Sequence, residues 1–159
     1  MTTAYRIVVG VDGSPASIVA LRWAFRQAYA RGGAVQAVCV WTGDPRATET
    51  DAWRGQGEAI LSDAITAALA NNSRVTISGV TIAGRPADEL VRLADGADLL
   101  VLGSHGRGRL SRAVLGSVAE RCVRMATSPV VVIPPYLVQP AEAAETVTLH
   151  EVQLNPSAG

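Results

Sequence analysis

The sequence predicts an α/β protein with a five-stranded parallel sheet and helices on both of its faces. Five short runs of strand length lie within residues 1–135; the third alternates apolar with polar residues, and the other four are mainly apolar, the first of them typical of a strand buried on both faces. Segments with a helical spacing of apolar residues separate these runs. Because strands that alternate with helices pair in parallel through right-handed crossovers, we expect a doubly wound sheet in the order 3-2-1-4-5.

The first strand and the first helix have well-marked ends. Residues 6–11 form a valine-rich run that predicts a buried strand. Ser14 followed by Pro15 is typical of an N-cap with proline at the first helical position. Apolar side chains then recur at helical spacing until Gly32 and Gly33, which end the helix.

The remaining elements continue this alternation. Apolar runs predict strands at 34–41, 98–102 and 129–133, and alternating apolar residues predict a strand at 75–82. Helical patterns cover 52–70, 86–94 and 117–126. The third helix begins at Pro86 and carries Asp88 and Glu89 in its first turn, where carboxylates interact favourably with the helix dipole. We therefore expect one domain over residues 1–135 and a C-terminal extension over 136–159.

The extension differs in composition from the domain. It contains glutamates but no arginine. Its apolar residues in the segment 147–154 are spaced nearly as in a strand. The segment is interpreted either as part of a loosely held extension or as a short strand that docks on a sheet edge or on a neighbouring molecule.

The charged residues exclude several classes of function. Fourteen basic residues balance fourteen acidic ones, whereas a protein that binds nucleic acids normally has a basic excess. All of the basic residues are arginines. A chain without lysine can have neither a Walker A lysine nor a Schiff-base lysine.

The few cysteines and histidines indicate neither a disulfide framework nor a transition-metal centre. Cys39 and Cys122 are interpreted as buried free thiols in a reducing compartment. His105 and His150 lie far apart, and no CxxC or HxxxH pattern is present. No apolar run reaches the ~18 residues that a membrane span needs, and no signal peptide is apparent, so we expect a cytoplasmic protein that does not contact membranes.

The two most unusual segments follow the first and the fourth strand. Ligands of open parallel sheets bind at the carboxyl ends of the strands, where the strand order reverses. In the predicted order, this point lies between the first strand, which ends at Asp12, and the fourth, which is followed by the loop 103–109. We therefore expect these two segments to form one ligand site.

The loop has the features of a phosphate-binding site. Gly103, Gly106 and Gly108 allow backbone N–H groups to approach a ligand, and Gly116-Ser117 opens a helix whose first N–H groups favour an anion. Nearby side chains add positive charge that can bind phosphate oxygens: Arg107, Arg109 and Arg112. The alternative interpretation is a tight turn with a solvated arginine cluster.

These residues carry a resemblance to the nucleotide-binding (ATP-binding) branch of the universal stress protein family. The family motif G-x2-G-x9-G-[S/T] is complete at Gly103, Gly106, Gly116 and Ser117. The segments 9–14 and 128–134 are similar to the first and last strands of that family. The resemblance covers about residues 5–135 and does not extend to the tail.

The resemblance implies a flavodoxin-like (Rossmann-like) domain that binds ATP together with Mg²⁺ or Mn²⁺ and forms a homodimer. Asp12 would contact the ribose or a metal ion, or would alternatively serve only as a structural turn. Val40 would present backbone atoms to the adenine edge. The residues carried over as the phosphate cradle are Gly103, Gly106, Gly116, Ser117 and Val118. Arg107 adds a cationic clamp by its position in the loop.

Several alternatives stay open beside this hypothesis. Cyclic AMP could replace ATP as the ligand, and a slow ATP-hydrolysing enzyme is a second possibility. His105 could then be a base, but no partner carboxylate or nucleophile is near it in sequence, and we interpret it as a polar loop residue. An FMN carrier is disfavoured because segment 12–15 is a poor match for a flavin phosphate loop. Trp41 could form a wall of the base pocket.

The resemblance, together with the phosphate-binding features of the loop, implies a regulatory protein of the stress response that binds an adenine nucleotide and holds it. The uncharged fifth strand, at 130–133, would lie at an edge of the sheet. An apolar edge needs a cover, and a second copy of the chain is the simplest one. The tail segment 147–154 is the competing cover for the same edge.

Overall fold

The computed structural model describes residues 4–44, 46–69, 74–105, 115–134 and 153–156. All elements predicted from the sequence are present, with small shifts at their ends. In chain order they are β1 (Arg6–Gly10), α1 (Pro15–Arg31), β2 (Ala34–Trp41), α2 (Thr50–Leu69), β3 (Thr76–Ala83), α3 (Pro86–Leu93), β4 (Leu99–Gly103), α4 (Ser117–Met125), β5 (Val130–Ile133) and β6 (Gln153–Pro156).

The sheet is parallel throughout and runs in the order β5-β4-β1-β2-β3-β6. The predicted five-stranded sheet in the order 3-2-1-4-5 is therefore confirmed, and β6 extends it beyond β3. In the register of this added pair, Gly79 lies opposite Leu154. No helix in the described part of the chain combines the length and the apolar composition of a bilayer span.

The described part of the tail corrects one expectation. The segment 147–154 was expected to compete for the edge of β5, but β6 pairs with β3 at the opposite edge of the sheet, and residues 147–152 lie outside the described ranges. The physical reason lies in the lengths of the two edges. β3 has eight residues and β5 has four, so β3 offers more unpaired backbone groups to an added strand.

Two layers of helices cover the sheet, as the doubly wound prediction requires. Alternate residues of each strand point to opposite faces, so Val9 packs among α1 and α2 while its neighbour Val8 packs beneath α3 and α4. Neither valine has any exposed surface. Burial on both faces explains why the sequence of β1 is continuously apolar, whereas β3 at the outer part of the sheet alternates between buried and less buried residues.

The predicted caps of α1 are present and fix the start and the end of this helix. Ser14 is the N-cap, and its side chain accepts a hydrogen bond from the N–H of Ser17 at 3.2 Å. Gly32 ends the helix with a φ of 62°, in the left-handed region that favours glycine. The start of α1 is thereby held directly behind the carboxyl end of β1.

Candidate functional site

A cavity of about 670 Å³ opens at the carboxyl ends of β1, β2 and β4. It lies where the sequence predicted a site. β1 and β4 are neighbours in the sheet, and the helices that follow them, α1 and α4, pack on opposite faces. The start of α4 and the start of α3 complete its walls. The cavity is lined by Gly10, Val11, Asp12, Ser17, Val38, Val40, Pro86, Leu90, Leu102, Gly103, Ser104, His105, Leu115, Gly116, Ser117, Val118 and Ala119.

The turn after β1 holds Asp12 at the cavity wall. Its Oδ1 accepts a hydrogen bond from the N–H of Ser14 at 2.9 Å, and its own N–H donates to Ser17 Oγ at 3.4 Å. Gly13 between them has a φ of 80°, which an L side chain adopts only with strain. Asp12 is thus part of a structured turn, and its half-buried carboxylate can still accept further hydrogen bonds because each oxygen has two lone pairs.

The end of β4 is packed closely against the start of α1. A Cβ added at Gly103 would lie 2.8 Å from the carbonyl carbon of Ala16 and 2.9 Å from its Cβ. Sequence reasoning assigned this glycine to the approach of phosphates. The structure adds a packing role, because no larger residue fits here without a shift of the helix or the strand.

Backbone hydrogen bonds fix both ends of the glycine-rich loop. The N–H of Ser104 donates to the carbonyl of Ile133 at 2.9 Å, and the carbonyl of Ser104 accepts from the N–H of Gly116 at 2.7 Å. The second bond brings the start of α4 beside the end of β4. Two parts of the predicted motif that are far apart in sequence are therefore neighbours in space.

The N-terminus of α4 faces the cavity without a side-chain cap. Gly116 is the N-cap residue, and within the described part of the chain no side-chain cap hydrogen bond is made to the first N–H groups of the helix. The next residues, Ser117 and Val118, also line the cavity. Because the helix dipole and the first N–H groups favour negative charge, this corner of the cavity suits an anionic group.

The backbone of Val40 is directed toward the cavity by the ladder that β2 makes with β1. The N–H of Val11 donates to the carbonyl of Val38 at 2.8 Å, so the backbone groups of Val38 point toward β1. Backbone groups alternate in direction along a strand, and those of Val40 therefore point the same way. Gly10 is the last residue of β1 with a partner in β2, so the Val40 groups extend past the end of that strand.

His105 lines the cavity, and the described residues provide a hydrogen-bond partner for one of its ring nitrogens but not for the other. Its Nδ1 lies 3.0 Å from Ser104 Oγ. Its Nε2 is buried and has no hydrogen-bond partner in the described part of the chain. The sequence suggested only a polar loop residue, because the pairing with Ser104 depends on the conformation that follows β4.

Most of the predicted site residues lie together in the structure. Six of them line the one cavity described above: Asp12, Val40, Gly103, Gly116, Ser117 and Val118. Gly106 and Arg107 lie outside the described residues, as do Arg109 and Arg112. Within the described ranges, no group of three or more His, Cys, Asp or Glu side chains is arranged to hold a metal ion.

Trp41 does not form a wall of this cavity, and the suggestion that it lines the base pocket is wrong. Its ring packs against Trp53 with the centroids 6.1 Å apart. Consecutive strand residues point to opposite faces. Since Val40 lines the cavity, Trp41 lies on the face that α2 covers.

The apolar wall of the cavity was missed by sequence reasoning. Leu90 of α3 and Leu102 of β4 form part of it, and both would contact a Cβ added at Gly10, within 3.0 Å and 2.7 Å respectively. Leu90 is marked in the sequence only as a buried position of an amphipathic helix. Its place at the cavity follows from the packing of α3 on the sheet, which no local pattern shows.

Comparisons with known proteins agree with this architecture. The model of the universal stress protein family matches residues 4–134. A universal stress protein of Mycobacterium tuberculosis is 36% identical over 131 residues, which cover 79% of this chain and 44% of that protein. The chain thus spans less than half the length of this curated relative.

Solved structures give the same result. A universal stress protein in complex with cAMP is 28% identical, with a TM-score of 0.68 and coverage of 83% of this chain and 98% of that one. The universal stress protein from Archaeoglobus fulgidus in complex with dAMP is 26% identical, with a TM-score of 0.63 and coverage of 84% and 99%. On the family match and the shared fold, this chain belongs to the universal stress protein family.

Proposed function

We propose that this chain binds ATP or a related adenine nucleotide in the cavity and acts as a nucleotide-holding regulatory protein of the stress response. One observation carries the proposal: residues predicted from two distant segments, Asp12 and Gly116–Val118, line one cavity beside an uncapped helix N-terminus. Its volume of about 670 Å³ lies within the ~300–1,000 Å³ of typical ligand pockets. The family members bound to cAMP and dAMP support the same class of ligand here.

Each part of an adenine nucleotide has a matching group in the cavity. The backbone N–H and carbonyl of Val40 suit the adenine edge, which presents both a donor and acceptors. The carboxylate of Asp12 suits the ribose hydroxyls as an acceptor. The N–H groups at the start of α4 suit the phosphates, and Gly106 and Arg107 are proposed to complete that cradle.

A divalent cation would enter this site together with the phosphates. Asp12 is the single carboxylate among the described residues that line the cavity. Mg²⁺ commonly takes one or two carboxylates and completes its shell with phosphate oxygens and water. The residues fit a Mg²⁺ or Mn²⁺ ion that is carried by ATP, and Asp12 would be its protein ligand.

The site favours retention of the nucleotide over rapid turnover. No carboxylate lies between Gly103 and Val118, and the chain has no lysine. Fast hydrolysis requires a group that orients water and a charge clamp on the γ-phosphate. A slow ATP-hydrolysing activity is the second candidate function, since Asp12 could position a metal ion.

We further propose that two copies pair through β5 and that the protein acts in the cytoplasm. β5 lies at an edge of the described sheet, and Val123 and Met125 of the neighbouring helix α4 expose large apolar side chains. A sheet edge with exposed apolar neighbours is a suitable surface for an isologous partner.

Calorimetric titration with ATP and cAMP tests the proposed ligand site. In Gly116→Val the new side chain enters the cradle, while the backbone at Gly116, with φ −60° and ψ 151°, accepts any residue. We expect at least a tenfold weaker affinity. Gly55→Val is the matched control, because a Cβ at Gly55 meets no atom within 4 Å and the residue does not line the cavity. Unchanged affinity in Gly116→Val would refute the assigned site.

A further inference from the structure

The strongest unexplained feature of the cavity is the buried Nε2 of His105. It has no hydrogen-bond partner within the described ranges, although the other ring nitrogen is paired with Ser104 Oγ at 3.0 Å. Buried polar atoms in native proteins nearly always have a partner. Because His105 lines the cavity, a bound ligand is the natural partner for this nitrogen.

The backbone around His105 is held in place from two sides. Ser104 donates its N–H to the carbonyl of Ile133 in β5 and accepts from the N–H of Gly116 at the start of α4. Ser104 itself is buried, with 9% of its surface exposed. The backbone of Ser104 is therefore held in one position, and its hydroxyl, which contacts Nδ1, restricts the orientation of the imidazole ring.

Donation from Nε2 to a ligand requires one tautomer of the imidazole, and the contact with Ser104 is compatible with it. A serine hydroxyl can donate to Nδ1, and the proton of the neutral ring then resides on Nε2. In this tautomer Nε2 is a hydrogen-bond donor. It would add a donor to the same end of the cavity as the N–H groups of α4, to which Ser104 is joined through Gly116.

Among the described residues that line the cavity, Asp12 and His105 are the two with titratable side chains. They come from different strand ends, Asp12 from β1 and His105 from β4. An acceptor after β1 and a donor after β4 match a ligand that has both hydroxyl groups and an anionic group. A nucleotide has this arrangement, with its ribose between the base and the phosphates.

We propose that His105 is a ligand-binding residue, whose Nε2–H donates to a phosphate oxygen of the bound nucleotide while Ser104 Oγ orients the ring through Nδ1. This inference rests on the proposed function and adds a neutral side-chain donor to the proposed cradle of backbone N–H groups and Arg107. It requires no proton transfer, so His105 serves affinity and selection of phosphorylated ligands.

Two substitutions distinguish the ring nitrogens. In His105→Gln the amide nitrogen can reach the position of Nε2, whereas in His105→Asn it reaches only that of Nδ1. We expect ATP affinity to fall at least tenfold in His105→Asn and to be largely retained in His105→Gln. Adenosine, which has no phosphate, is the matched ligand, and its affinity should be the same in all three proteins. Equal ATP affinity in all three would overturn the inference.

Nuclear magnetic resonance of the imidazoles gives an independent measurement. The chain has two histidines, so ¹⁵N-histidine labelling yields two ring spectra, and His150→Gln assigns them. We expect His105 to have its proton on Nε2 and this signal to shift on addition of ATP. A proton on Nδ1, or an unchanged signal in protein that binds ATP, would overturn the inference and leave the proposed function intact. Calorimetry that detects no ATP binding to the wild-type chain would overturn both.

Discussion

Replacing Gly103 with alanine separates the packing role of this glycine from its predicted role in ligand binding. The new Cβ would lie 2.8 Å from the carbonyl carbon, 2.9 Å from the Cβ and 3.0 Å from the carbonyl oxygen of Ala16. Two of these atoms belong to the backbone of α1 and cannot rotate away. Overpacking of this kind costs about 1–3 kcal/mol of the free energy of unfolding. In a domain of this size, that corresponds to a fall of about 2–12 °C in Tm.

Thermal unfolding without nucleotide measures this cost. The control is Gly55→Ala in α2, where the added Cβ meets no atom within 4 Å. Alanine in a helix interior is favoured over glycine, so this control should gain about 0.5–1 kcal/mol. If Gly103→Ala is as stable as the wild type, the close contact with Ala16 does not constrain the fold. If it then also fails to bind ATP, the glycine serves the ligand alone.

Four further predictions concern stability, reactivity, assembly and turnover. Thr81→Val should raise the free energy of unfolding by about 1 kcal/mol in urea titrations, because Thr81 Oγ1 is buried without a hydrogen-bond partner in the described part of the chain; a loss of stability would contradict this. Burial, with a smaller effect of Asp88, raises the pKa of the Cys122 thiol from 9.0 to about 11. Its protonated form therefore stabilises the fold fully below pH 9, and this contribution is lost as the pH rises through about 11. At pH 8 the native Cys122 should not react with an aromatic disulfide, and labelling as fast as in urea would be the contrary result. Val132→Pro should yield a folded monomer in light scattering. The carbonyl of Ile133 accepts from Ser104, so the backbone groups of its neighbour Val132 face away from β4, and a proline there removes a hydrogen bond only to a partner strand. An intact dimer would exclude pairing through β5. Phosphate release from ATP should stay well below the ~1–100 s⁻¹ of kinases, and several turnovers per second that disappear in Asp12→Ala would make this protein an enzyme.

The parts of the fold that local signals specify were predictable from the sequence. Ser14-Pro15 and Gly32 are local signals, and both ends of α1 follow from them. The continuous apolar runs predicted strands buried on both faces, and the alternation with helices predicted parallel pairing. The location of the site followed from the strand order, because Asp12 lies in the turn after β1 and Gly103 ends the neighbouring strand β4.

The features that depend on tertiary packing could not be predicted in this way. Whether the tail pairs with β3 or with β5 depends on which edge is longer and on the path of the chain. Leu90 lines the cavity only because α3 packs on the sheet at that point. The pairing of Ser104 with His105 depends on the turn after β4. The position of Trp41 was an avoidable error, since the two-residue period of a strand already places it opposite Val40.

Native mass spectrometry of the freshly purified chain, before and after addition of ATP with Mg²⁺, tests the central claim most directly. It measures the bound ligand and the number of chains in one spectrum. The account predicts a dimer that carries one adenine nucleotide per chain, and it predicts that Gly116→Val carries much less nucleotide at the same ATP concentration. Wild-type protein that stays free of nucleotide in excess ATP and in excess cAMP would contradict the claim that this cavity is an adenine-nucleotide site.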